Sequence, residues 1–122
     1  MSPSVVGSEV LASLEEACRR GDAGAFARLF APDARTNDGR GQISILRTYA
    51  AFFARSASGR LLLENVEWRA GADGRIVGRG RVAISNMDED ASGSQRSRGS
   101  IDLELIPMAG GYRISRLYYQ LD

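Results

Sequence analysis

Residues 21–53 read GDAGAFARLFAPDARTNDGRGQISILRTYAAFF, and three breaks divide them. Asp22 is placed to cap a short helix, 23–31, whose Phe26, Leu29 and Phe30 recur at helical spacing. Pro32 ends that helix. Asn37-Asp38-Gly39 is a turn in its own right, because Asn and Asp bond their own backbone and glycine takes positive φ freely. A third helix follows, "ISILRTYAAFFARSA" from Ile43. Ile43, Leu46, Ala50 and Phe53 lie on one side of it, with Ile45, Tyr49 and Phe52 on the other. A helix apolar nearly all round is expected to be enclosed by the rest of the fold, and Gly59 is expected to close it.

Upstream, "SEVLASLEEACRR" carries Val10, Leu11, Leu14, Ala17 and Cys18 on one helical stripe. Ser8 is the expected N-cap, Arg19 and Arg20 suit the C-terminal end, and Gly21 is the stop. Residues 1–9 are expected to be a flexible lead into a single domain, 10–122. Cys18 on the buried stripe reads as a packing residue rather than a reactive thiol.

Downstream of Arg60 the apolar period becomes two. "RLLLENVEWRA" is a strand with Leu62, Val66 and Trp68 on one face, "GADG" is a turn, and "RIVGRGRVAIS" returns. On the return strand Ile76, Gly78, Gly80, Val82 and Ile84 share one face, and Val77, Arg79 and Arg81 take the other. Residues 86–99 have no apolar period and read as a long hairpin loop. "SIDLELIPM" and "YRISRLYYQL" then form a hairpin across Ala109-Gly110-Gly111. Three helices before at least four antiparallel strands give an α+β fold with helices on one face of a curved sheet.

Composition removes whole classes of chemistry. All 16 basic residues are arginine; there is no lysine and no histidine. No Schiff base, amine base, Ser-His or Cys-His nucleophile can be assembled, so acid–base work would fall to Asp, Glu, Tyr or Cys18. A net charge of +1 gives no electrostatic reason to expect nucleic acid or an anionic membrane. The first residues lack the basic region of a signal peptide and no apolar run reaches membrane-span length, so a cytoplasmic protein is expected. "DEDASG" (88–93) copies the opening of a calcium loop but has Gly99 where the bidentate Glu is needed, so no metal is expected. "GRIVGRGRV" has Gly-x-Gly spacing inside a strand, with no helix to meet a phosphate, and no cofactor is expected. Arg75, Arg79, Arg81, Arg96 and Arg98 are balanced by Asp88, Glu89 and Asp90, and read as a salt-bridged solvated face.

The 21–53 stretch, with its Gly-Asp between helices and its "LF-x-x-D-A" exit, resembles the first half of the nuclear transport factor 2-like superfamily, SnoaL-like and ketosteroid-isomerase-like proteins included. "GGYRISRLYY" is similar to that family's closing strand. The resemblance implies a cystatin-like cone: three N-terminal helices packed in a strongly curved, mainly antiparallel sheet, a pocket at the open end, and a homodimer through the sheet. It implies Asp38 as a carboxylate base and Asp102 as a protonated donor. The partner tyrosine would align near Leu14 and is absent. Asp102 also alternates with Ile101 and Leu103, which puts it opposite the apolar row, where it would stay ionised.

Two functions follow. The first is a non-catalytic domain that binds a small apolar ligand or a partner protein. The alternative is an isomerase- or cyclase-like enzyme with Asp38 as base and Tyr49, Tyr112 or Tyr118 as oxyanion donor. Phe30, Tyr49, Phe53, Trp68, Tyr112 and Tyr118 are the expected pocket residues. For Tyr49, Trp68, Tyr112, Tyr118 and Tyr119 a buried ring with a satisfied polar tip is the competing reading.

Overall fold

The computed structural model describes residues 2–37, 39–55, 60–87 and 94–122, with side chains at 52, 53, 55, 60, 61, 84–87 and 94–96 outside that description. Helix α1 (Pro3–Arg20) begins earlier than Ser8: Ser2 caps it through its hydroxyl and Pro3 opens it, so most of the expected loose lead is helical. Its end is as expected, with Gly21 left-handed at φ 64° and two arginines in the last turn. Helix α2 (Ala23–Arg28) is capped by the Asp22 carboxylate, which accepts from the Ala25 N–H at 3.0 Å.

The chain then leaves the helix sooner than its apolar spacing suggested. Strand β1 (Phe30–Thr36) turns into β2 (Gly39–Arg40), and α3 (Gln42–Arg55) follows. Strands β3 (Arg60–Ala70), β4 (Ile76–Met87), β5 (Ser94–Met108) and β6 (Gly111–Leu121) form the meander, with a 3₁₀ turn (Ala72–Gly74) between β3 and β4. The six strands are ordered β2-β1-β6-β5-β4-β3, all antiparallel except β1 beside β6, which is parallel. Of the residues expected as a loop, 86–87 and 94–99 are strand, because β4 runs to Met87 and β5 starts at Ser94; 88–93 lie outside the description.

Pleating assigns two faces. Ile101, Leu103, Leu105, Ile114 and Leu117 are buried on the inner face with Leu11, Leu14, Ala17 and Cys18 of α1. Helix α1 meets β3, β4 and β6, so it is the element laid against the sheet. That corrects the enclosure expected of α3. Helix α3 instead meets α2, β1 and β2 at the sheet's end; Ile45 is buried while Ile43 is 69% exposed. Many of its apolar positions are alanines, which add little driving force for burial, and Ala50, Ala51 and Ala54 are not buried.

On β3 the pattern slips. The pairing with β4 shifts between Glu64 and Glu67, and Asn65 adopts φ 53°, a left-handed conformation that Asn tolerates. The bulge places Leu63, Val66 and Trp68 against the core, whereas Leu62 lies on the other face, 46% exposed. Leu62 therefore does not share the face of Val66 and Trp68.

The Gly-x-Gly of β4 is explained by the same strand. A Cβ at Gly78 would approach the Trp68 ring to 2.5 Å and one at Gly80 would approach Val66 to 2.7 Å. From the other side, a Cβ at Gly7 of α1 would fall inside the indole. Trp68 is thus held between a helix glycine and a strand glycine. Replacing glycine by alanine inside a helix ordinarily stabilises by about 1 kcal/mol. Here Gly7→Ala is expected to destabilise by roughly 1–3 kcal/mol through overpacking. In a Trp68→Leu background the same change should cost little or regain the helical benefit, a coupling that urea denaturation of the four proteins measures.

Candidate functional site

The hairpin at Asn37 is tied to the far end of the chain. The Asn37 side-chain amide donates to the Tyr119 carbonyl at 2.9 Å, and its oxygen accepts from the Tyr119 N–H at 2.8 Å. The side chain therefore replaces a strand's backbone just beyond the last rung of β1 on β6, Thr36 opposite Leu117. Across the turn Thr36 pairs with Gly39, and the buried Thr36 hydroxyl donates to the Gly39 carbonyl at 3.3 Å. Gln42 fastens the next corner, its amide donating to the carbonyls of Ala27 and Phe30, both at 3.1 Å. Asp38 itself lies outside the described residues, as do Gly59 and the 88–93 calcium-like stretch.

Asp102 lies on the outer face, as its alternation with Ile101 and Leu103 requires. It is opposite Tyr118 on one side and Arg79 on the other. The Arg79 guanidinium donates to Asp102 Oδ1 at 2.8 Å, and the carboxylate is about half exposed. This makes Asp102 a charge acceptor, not the buried proton donor that the resemblance implied. Its neighbours follow suit: Arg75 pairs with Glu104 at 3.0 Å and Arg81 with Asp122 at 2.5 Å. The expected solvated, salt-bridged strip is present at Arg75, Arg79 and Arg81, with partners from β5 and the C-terminal Asp122. Arg98 is exposed, and the acids expected as partners, Asp88 to Asp90, lie outside the described residues.

The described residues among those expected in a pocket divide among four places. Phe30 and Tyr49 both flank Phe26, with ring centroids 5.3 and 4.3 Å from it, and Phe30 is buried. Trp68 is the inner-face wedge. Tyr112 donates weakly to the Gly74 carbonyl at 3.4 Å, joining the β5–β6 hairpin to the 3₁₀ turn. Tyr118 stands on the outer face, 37% exposed. The Phe53 side chain lies outside the description. The structure therefore brings Tyr118 and Asp102 together, but on the face opposite Trp68 and Phe30.

What lies between Tyr118 and Asp102 is a groove of about 310 Å³, lined by Asn37, Ser100, Asp102, Tyr118, Tyr119 and Gln120. Ser100 and Gln120 were not singled out from the sequence, nor was Asn37 as a clamp. Ser100 and Gln120 carry no local signal, because only the pairing of β5 with β6 makes them neighbours. Asn37 had one: an amide two residues before a glycine, where a turn was already expected.

No protein-family profile matches the chain, and no curated protein matches it. Solved structures do. A candidate scytalone dehydratase from Novosphingobium aromaticivorans superposes with TM-score 0.89 at 10% identity, covering 98% of this chain and 83% of that one. Aln2 from a Streptomyces species gives 0.86 at 18%, covering 100% and 94%. A nuclear transport factor 2-like superfamily protein from Salmonella enterica gives 0.81 at 15%, covering 98% and 93%. The chain has the nuclear transport factor 2-like fold. At these identities the likeness is one of architecture, and chemistry must be argued from the side chains. Within this nuclear transport factor 2-like fold, the described side chains put their polar groove on the outside of the sheet and Trp68 on the inside. No helix among the described residues is long and apolar enough to cross a membrane, and no group of three or more potential metal ligands occurs among them.

Cys18 is packed under the sheet, and burial, with a smaller push from Glu15, raises its thiol to about 12. The folded thiol stays protonated where the unfolded one ionises. Cys18 therefore contributes stability that is complete below pH ~9 and declines as pH rises from there towards 12. Native protein should resist thiol-specific reagents at pH 8 and react fully in urea. For the Asn37 clamp, Asn37→Ala is expected to cost about 2 kcal/mol, two hydrogen bonds at roughly 1 kcal/mol each, read from urea midpoints.

Proposed function

We propose that this protein is a non-catalytic binding domain that makes its contacts through the outer face of its sheet. One observation carries the reading: the Trp68 ring is wedged between Gly7 and Gly78, so α1 and β4 meet there across the chain's own side chain rather than across open space. The position of Asp102 supports it, since a half-exposed, arginine-paired carboxylate cannot polarise a carbonyl bound on the inner side.

The same face supports pairing with a second copy. It carries stripes of alternating sign: Glu64 and Glu67 on β3, Arg79 and Arg81 on β4, Asp102 and Glu104 on β5. In a two-fold interface each stripe of one copy can meet the opposite stripe of the other with a one-strand offset. Exposed Tyr118 and Leu62 supply aromatic and aliphatic contact area. Sedimentation equilibrium is expected to show a reversible dimer with a dissociation constant of about 10 μM. Tyr118→Asp should weaken it by tenfold or more while leaving the circular dichroism spectrum unchanged. A wild type that stays monomeric at about 500 μM, or a variant that pairs as well as wild type, would refute pairing through this face.

A further inference from the structure

The geometry points to an anion site at the β2–β1–β6 end of the outer face, one that takes the phosphate of a small hydroxylated phosphate monoester. Register places Arg35 directly opposite Arg40 on one side and Arg116 on the other. Thr36 and Leu117, the next residues, pair with each other and are both buried, so Arg35 and Arg116 turn outward together. Gly39 pairs with Thr36, which turns the exposed Arg40 outward as well.

Neighbouring strands are about 4.8 Å apart, so three guanidinium groups stand in one row within reach of a single anion. Like charges directly opposite one another destabilise a sheet, and this row has two such contacts side by side. Among the described residues, the carboxylates nearby do not relieve it. Glu104, opposite Arg116, is held by Arg75 and by the Ser115 hydroxyl at 2.8 Å. Asp33, two residues before Arg35, makes no ion pair among the described residues. Arg75, Arg79 and Arg81 on the same face each hold an acid; Arg35, Arg40 and Arg116 hold none among the described residues.

Three planar forks offer more N–H donors than the two oxygens of one carboxylate can accept. The three terminal oxygens and double charge of a phosphate monoester match them better. One row along the same face begins the groove of Tyr118, Asp102, Ser100 and Gln120. Arg79 takes Asp102 Oδ1, which leaves Oδ2 to accept from a hydroxyl. An anionic head on the arginine row thus places a hydroxylated body in the groove. This deepens the reading of the outer face as the binding face, and the experiment separates failure of the ligand from failure of that reading.

Inorganic phosphate, a hexose phosphate and the free hexose are titrated calorimetrically at low ionic strength, at protein concentrations below and above the pairing range. The hexose phosphate is expected to bind about tenfold tighter than inorganic phosphate, and the free hexose not to bind. Arg35→Gln should weaken both phosphates by about tenfold, yet raise the melting temperature of the ligand-free protein by relieving repulsion. Arg69→Gln, at the other end of the sheet, should leave binding unchanged. Equal affinity for inorganic and hexose phosphate would overturn the hydroxylated body. Absence of phosphate binding, or equal weakening by Arg69→Gln, would overturn the site. Self-association without phosphate binding leaves the outer face as the pairing surface and removes the ligand; phosphate binding by a strict monomer does the reverse.

Discussion

Trp68 is the piece on which the two layers of this molecule depend. The indole is accommodated only because Gly7 and Gly78 present no side chains to it, so helix and sheet approach each other through one ring. Its orientation comes in turn from the Asn65 bulge, which rotates the end of β3 by one residue. A bulge, two glycines and a tryptophan, drawn from three separate elements of the chain, are therefore one packing unit. Moving any of them requires the others to shift.

The consequence for chemistry is a division of labour between the faces. Among the described residues, the inner face carries the buried apolar cluster, with Trp68 set between helix and sheet. The described ion pairs that run across β4 and β5 and onward to Asp122 lie on the outer face, as does the described groove.

Much of the architecture was readable because it is local. Capping by Asp22, the Gly21 stop, the hairpin at Gly110-Gly111 and the two-residue period of β4 to β6 each follow from adjacent residues, and so did the outward placement of Asp102. What escaped was set at a distance. "FAPDART" looked like a helix exit because only its pairing with β6 makes it a strand, and α3 looked central because apolar count says nothing about which element covers it. The Asn65 bulge was signalled by one amide in an apolar run, and missing it put Leu62 on the wrong face. The candidate site was legible at Asp102 but not at Ser100, Gln120 or the arginine row, which exist only as register partners.

The parallel contact between β1 and β6 also bears on how the molecule is made. Phe30 finds its partner, Ile114, only after about 80 further residues have been joined to the chain. On the ribosome β1 and β2 can form their small hairpin early, yet that hairpin has no sheet to join until the final strand emerges. Contacts of such long range are slow to form, and until they do β1 keeps an unpaired edge. Completion of the sheet is thus coupled to completion of β6, and a nascent chain stalled before that strand would display an open edge to chaperones and to its neighbours.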